Sequence, residues 1–246
     1  MASDEVHEMQ ENSLARRALG LEETGLVTLP DGRNRIQQAL LAPLAQLNAA
    51  AVRAGFTLGV ASGFRGFAQQ AAIWNAKARG ERPILDPRER PLDPETLDDE
   101  QKLWAILRWS ALPGTSRHHW GTDIDVYECS HLPEGYVLQL TRAECAPGGP
   151  LADFHHWLSE YLASVDNPGF YRPYSEDTGG VSPEPWHLSF APLAEPLETV
   201  LTETLVERQV ASADLALKPQ ILTHLSAIMR RFVHSSAAGL RTEVGP

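Results

Sequence analysis

Apolar positions recur at helical spacing in some stretches of this chain and alternate in others. In "NRIQQALLAPLAQLNAAAVRAG" (34–55), Ile36, Leu40, Leu44 and Leu47 fall on one helical face, and Gly55 ends the run. Pro43 inside it predicts a kink or a split into two helices. "FTLGVASGF" (56–64) is short and apolar and reads as a strand closing on Gly63, whereas "GFAQQAAIWNAKARG" (66–80) is Ala-rich and helical, with Gly80 as its stop. Residues 81–97 carry many prolines and charges and read as a loop. "DDEQKLWAILRWSAL" (98–112) predicts a helix whose acidic first turn suits the helix dipole.

The second half alternates more sharply. "TDIDVYE" (122–128) predicts a strand with Ile124 and Val126 toward the core and Asp123 and Asp125 on the opposite face. "CSHLPEGYVLQLTRAECAPGGP" (129–150) reads as an inserted hairpin or loop, "LADFHHWLSEYLAS" (151–164) as a helix, and "PEPWHLSFA" (183–191) as containing a final strand. Beyond Pro192, "LETVLTETLVERQV" and "PQILTHLSAIMRRFV" show amphipathic helical spacing. Short strands mixed irregularly with helices predict an α+β fold rather than a doubly wound parallel sheet. The expected organisation is an N-terminal segment 1–33, a main domain 34–192, and a helical extension 193–246 that packs on the main domain or serves an interface.

Composition narrows the function classes. The 246 residues carry a formal net charge of −11, and the basic residues are scattered except for pairs such as Arg16-Arg17 and Arg230-Arg231. Nucleic acid is therefore not expected as a partner, because phosphates need clustered Lys and Arg. No apolar run of about eighteen residues occurs, which argues against a membrane-spanning helix. The polar, acidic start "MASDEVHEMQENSLARR" is unlike a signal peptide. The expected location is the cytoplasm, or the periplasm or cell envelope if an export signal has been removed. Cys129 and Cys145 match neither a zinc ribbon nor a CxxC motif; two free thiols are favoured over a local disulfide.

The chemistry concentrates in "TSRHHWGTDIDVYE" (115–128), which packs His118, His119, Asp123 and Asp125 around Gly121. A hydrolytic zinc ion takes about three His or carboxylate ligands and keeps one position open for water. A histidine in the turn and an aspartate on the strand supply two. His187 at the start of the last strand could supply a third, with Glu184 just upstream beside the open position as a proton acceptor. "SGFR" (62–65) ends a strand with Arg65 in a Gly-flanked turn, a placement suited to a substrate carboxylate.

These motifs together carry a resemblance. S-x-H-x-x-G-x-x-x-D (Ser116, His118, Gly121, Asp125), then E-P-W-H (184–187), resembles the VanY-type D-alanyl-D-alanine carboxypeptidases. Their zinc peptidase superfamily also holds lysostaphin-like endopeptidases and the hedgehog signalling domain. "SGFRGFAQQ" and "GFYRPYSEDTGGVSPEPWH" resemble further segments of the family, in the same order, across roughly residues 34–192. The resemblance implies a small antiparallel sheet carrying one Zn²⁺ on His118, Asp125 and His187. It implies Glu184 as general base and acid, Arg65 on the substrate's terminal carboxylate or the developing oxyanion, and Ser116 and Gln70 as lesser substrate contacts. The implied substrate is a short D-amino-acid peptide or muropeptide ending in D-Ala-D-Ala. Endopeptidase or L,D-peptidase activity on the same zinc core, and a non-catalytic hedgehog-like zinc module, are the alternatives, the last disfavoured by Glu184.

Where the family keeps a small residue, this chain has Asp123, which is expected behind a ligand histidine or as a competing ligand, with Asp125 favoured as the ligand. His119 is expected to be exposed or to sit behind the ligands, and His155 and His156 at a surface or boundary. Trp120 and Trp186 are expected in the core or in a pocket wall. The acidic run from Asp93 to Glu100 reads as a solvated loop and helix start.

Overall fold

The structure, a computed structural model, describes residues 12–234. Residues 1–11 of the N-terminal segment and 235–246 of the C-terminal extension lie outside the described residues. The centre is a four-stranded antiparallel sheet in the order β3-β6-β8-β7, formed by Leu58–Ser62, Asp123–Glu128, Phe170–Tyr171 and His187–Phe190 as β3, β6, β7 and β8. Two small antiparallel pairs flank it: β1 (Leu26–Thr28) with β2 (Arg35–Gln37), and β4 (Ile84–Leu85) with β5 (Pro91–Leu92). The fold is α+β.

Helix α1 (Leu41–Arg53) begins later than its periodicity predicts, because residues 35–37 pair with β1 and 38–40 form a 3-10 turn. Pro43 then falls in the first helical turn, where its missing N–H has no intrahelical acceptor to lose, and neither the kink nor the split occurs. Helix α2 (Phe67–Ala78) stops before Gly80, and α3 (Asp99–Leu107) starts from a reciprocal capping box between Asp98 and Gln101. The 129–150 insertion holds a single helical turn, Arg142–Cys145, rather than a hairpin, and Cys129 and Cys145 are both unpaired. Helix α4 (Ala152–Leu162) follows. The run "LETVLTETLVERQV" divides at Leu201–Thr202 into α5 (Ala191–Val200) and α6 (Glu203–Ser212), because Thr202 turns extended and caps α6 through Leu205 N–H.

Alternation along the sheet separates two environments. Ile124, Val126, Leu188 and Phe190 face α1 and α4 and form a core with Leu40, Leu47, Phe154 and Leu158. Asp123, Asp125, His187 and Ser189 occupy the other face of the same strands. A second core joins α2 and α3 (Trp74, Leu103, Ile106) to the C-terminal helices (Val206, Val210, Ile221, Ile228). The C-terminal helices therefore bury their apolar faces against the helices before the site. Trp74 Nε1 donates to Ala216 O at 3.0 Å, and the Asn75 side chain closes two further bonds to 214 and 216.

Sharing that core has a measurable consequence. Ile228→Ala should lower stability by about 2–5 kcal/mol, the usual cost of truncating a fully buried aliphatic side chain. Urea unfolding followed by tryptophan fluorescence should show one earlier transition, since Trp74 and Trp104 lie in or against the same core. A separate early step that leaves those tryptophans unmoved would mean the C-terminal helices unfold on their own.

Candidate metal centre and active site

The strand register assembles the site. β6 and β8 pair so that Asp125 lies directly opposite His187 and Asp123 opposite Ser189, while Ser62 of β3 lies opposite Asp125 beside a bulge. His118 arrives from the 3-10 turn Arg117–Trp120, which Gly121 closes at φ 66°. That left-handed position suits glycine, and a Cβ there would meet Leu26 at 2.7 Å.

His118, Asp125 and His187 each turn a ligand-type atom to one point, all within 4.8 Å of one another. His118 Nε2 is 3.3 Å from one Asp125 oxygen and His187 Nδ1 is 3.3 Å from the other. Each imidazole is fixed from behind. His118 Nδ1 donates to Gly63 O at 2.9 Å and His187 Nε2 donates to Asp123 at 3.1 Å, which leaves the two inward nitrogens as lone pairs. Asp125 Oδ1 and His187 Nδ1 are buried and have no hydrogen-bond partner in the protein. Two imidazole nitrogens and one carboxylate, buried and convergent, suit a zinc ion with an open position. The electrostatics agree. Burial would lower the His187 pKa, but Asp123, Asp125 and Glu184 raise it well above the ordinary imidazole value, so the site attracts positive charge. Burial would raise the Asp125 carboxyl, yet the two histidines hold it far below the usual range.

Glu184 lies in the turn before β8, its carboxylate 3.4 Å from His187 Nδ1. Arg65, Ser116 and Glu184 line one cavity of about 260 Å³ with His118, Asp125 and His187. Arg65 is oriented by Gln70 Oε1 at 2.9 Å and Ser62 Oγ at 3.2 Å. Gln70 itself is 1% exposed, and its amide NH₂ donates to Ala111 O, so it faces Arg65 and the backbone and is absent from the cavity wall. Gln70 thus acts on the cavity through Arg65.

Asp123 sits behind His187, fully buried, in a polar cluster whose other members gave no signal in the sequence. Arg117 Nε donates to Asp123 Oδ1 at 2.8 Å, and Thr122 and Ser189 hydroxyls donate to Oδ2. The same guanidinium reaches Glu198 of α5 at 3.1 Å and Tyr171 at 2.6 Å, and stacks over Trp120 at 4.4 Å. Burial works against the Asp123 carboxylate, but Arg117 and His187 bring its pKa down to about 2.

Of the two alternatives for His119, the structure takes the buried one behind the site: Nδ1 donates to Arg65 O at 2.6 Å and Nε2 accepts from Gly114 N–H at 3.0 Å. Burial lowers its pKa to about 4, so it braces the Arg65 turn as a neutral ring. His155 departs from the expected surface or boundary position and is buried, because its side of α4 packs inward, while His156 is exposed. Trp120 is in the core and Trp186 lines the cavity, as does Tyr174, whose ring meets His187 edge-on at 5.1 Å. Burial raises the Tyr174 pKa, so the phenol stays protonated. Lys77 of α2 completes this wall.

A sequence model of the VanY family, described as D-alanyl-D-alanine carboxypeptidase, matches residues 33–193. Two uncharacterized proteins of Haemophilus influenzae are related. One is 29% identical over 124 residues, covering 50% of this chain and 92% of the relative. The other is 42% identical over 96 residues, covering 38% of this chain and 66% of the relative. Among solved structures, VanYB in complex with D-alanine-D-alanine is similar at 24% identity and a TM-score of 0.49, over 82% of this chain and 90% of that one. The LdcB LD-carboxypeptidase is similar at 20% identity and a TM-score of 0.46, over 80% and 77%. The family match runs past both ends of the stretch from Arg65 to His187 that builds the site, and the chain belongs to the VanY family of D-alanyl-D-alanine carboxypeptidases.

Proposed function

We propose that this chain is a D,D-carboxypeptidase that releases the terminal D-Ala from peptidoglycan stem peptides or precursors ending in D-Ala-D-Ala. The observation that carries the reading is the convergence of His118, Asp125 and His187 in one cavity with the Glu184 carboxylate beside them. The catalytic unit is residues 34–192, with residues 1–33 preceding it and a C-terminal extension, 193–246, whose described helices up to residue 234 pack behind α2 and α3.

His118, Asp125 and His187 would hold the zinc ion. When bound there, zinc supplies Lewis-acid polarisation of the scissile carbonyl and acidifies water near neutral pH. Glu184 accepts the proton of the attacking water and passes it to the departing amine, so one carboxylate serves first as base and then as acid. Arg65, preorganised by Gln70 and Ser62, presents positive charge to the substrate's carboxylate or to the oxygen on which charge develops. Ser116 offers a hydroxyl at the cavity wall. Asp123 keeps His187 protonated on Nε2 and the ring in the orientation that turns Nδ1 inward. A pure binding module would have no use for the Glu184 carboxylate at this position.

Glu184→Ala should keep about one zinc per chain by metal analysis and lose roughly 10²–10⁴-fold in D-Ala release. A panel of N-acylated peptides ending in D-Ala-D-Ala, L-Ala-D-Ala or an internal D,D bond reads the specificity. Faster cleavage of either of the last two classes would replace the D,D-carboxypeptidase reading by the L,D or endopeptidase one. Asp123→Asn, which preserves shape and removes the charge, should weaken zinc binding by about 10–100-fold in competition with a chromophoric chelator. Wild-type affinity in that variant would show that the hydrogen bond from His187 does not tune the site.

A further inference from the structure

Besides Arg65 and the Asp123-bound Arg117, the cavity wall holds a cation that neither the motifs nor the mechanism above uses. Gln70, Trp74 and Lys77 follow one another at i, i+4 and i+7 on α2, so they share one helical face. Gln70 reaches Arg65, Trp74 fills the core, and Lys77 ends in the wall of the same 260 Å³ cavity as Arg65 and Glu184. Among the described residues, its ammonium makes neither a hydrogen bond nor an ion pair. Lys77 is half-buried, and a cation at that depth is ordinarily paired. Burial lowers the Lys77 pKa to about 8, Arg82 and Arg65 push the same way, and Glu184 opposes them. Around Lys77 two guanidiniums, Arg82 and Arg65, thus stand against one carboxylate, Glu184, which favours an anionic part of the substrate there.

The two cations are not equivalent. The Arg65 guanidinium is held by Gln70 and Ser62, and both Asp125 and Glu184 act on its charge, so it is directed at the reacting centre. Lys77 is a point charge on a flexible stem with all three donors free for a ligand. We propose that Lys77 binds the free C-terminal carboxylate of the peptide while Arg65 faces the carbonyl under attack. Lys77 is then the specificity-determining residue that confines the site to release of a terminal amino acid. This assignment rests on the peptidase reading above and goes beyond it by naming the anionic group recognised and the residue that recognises it.

The test uses the zinc-loaded full chain and two N-acylated peptides ending in D-Ala-D-Ala, one as the free acid and one as the C-terminal amide. The quantity read is the ratio of kcat/KM for acid over amide. In the wild type the acid should be preferred by on the order of 100-fold or more, the scale on which removing one member of a desolvated charge pair acts. Lys77→Met keeps the apolar stem and should bring the ratio to within about tenfold of one, whereas Lys77→Arg should retain most of it. A structural role for Lys77 would lower both rates together and leave the ratio unchanged. A wild-type ratio in Lys77→Met, or loss of the ratio in Arg65→Lys instead, overturns the assignment and leaves the peptidase reading intact. If the wild type cleaves neither peptide, the peptidase reading falls and takes this assignment with it.

Discussion

The site depends on one antiparallel pairing, in which β6 and β8 set Asp125 directly opposite His187. Side chains opposite each other on one face of an antiparallel pair are close enough to share a partner. The pleat does the rest, since Ile124, Val126 and Leu188 go to one face and Asp123, Asp125 and His187 to the other. A shift of one residue in this register would bury the ligands in the apolar core and expose the core residues to the cavity. Burial of Ile124 and Leu188 against α1 and α4 therefore fixes how Asp125 and His187 converge as firmly as it stabilises the sheet.

Around this pair, each ligand is held by a group from elsewhere in the chain. The Gly63 carbonyl fixes His118, and the Arg65 N–H returns a bond to His118 O at 2.9 Å. His119 then fastens the Arg65 carbonyl to the Gly114 turn. Arg65 and the turn that carries His118 are consequently tied together by three hydrogen bonds, although they lie far apart in sequence. On the other side, Asp123 links His187 to Arg117, and Arg117 links both to Glu198 on α5. Such a buried ionic cluster is strongly destabilised when one partner is removed, because a charge is left without its counterpart. Helix α5 is therefore connected to the metal centre by charge as well as by packing.

The C-terminal helices have a comparable role at longer range. They complete the core on which α2 lies, and α2 presents Gln70 toward Arg65 and Lys77 toward the cavity. Trp74 and Asn75, between those two positions, bond to the backbone of residues 214–216. The cationic wall of the cavity thus rests on residues that follow the last strand of the sheet.

Much of this was legible in the chain itself. Alternation in "TDIDVYE", the glycine after the histidine pair and the "EPWH" motif identified the strand faces and the residues that converge, because these depend on local periodicity and on side-chain chemistry. Local pattern also misled where pairing intervened: residues 35–37 continue a helical spacing, but they form β2 because β1 offers them hydrogen bonds. The tertiary structure alone decided which polar residues are buried and whom they meet. Arg117 and Lys77 look like any other basic residue in a sequence whose charges are mostly solvated, and Glu198 like any helical glutamate. His119 and His155 become buried, and Asp123 a support for His187 rather than its rival, through contacts between segments tens of residues apart. Desolvation and partner choice are properties of the packed chain, and no short stretch of sequence contains them.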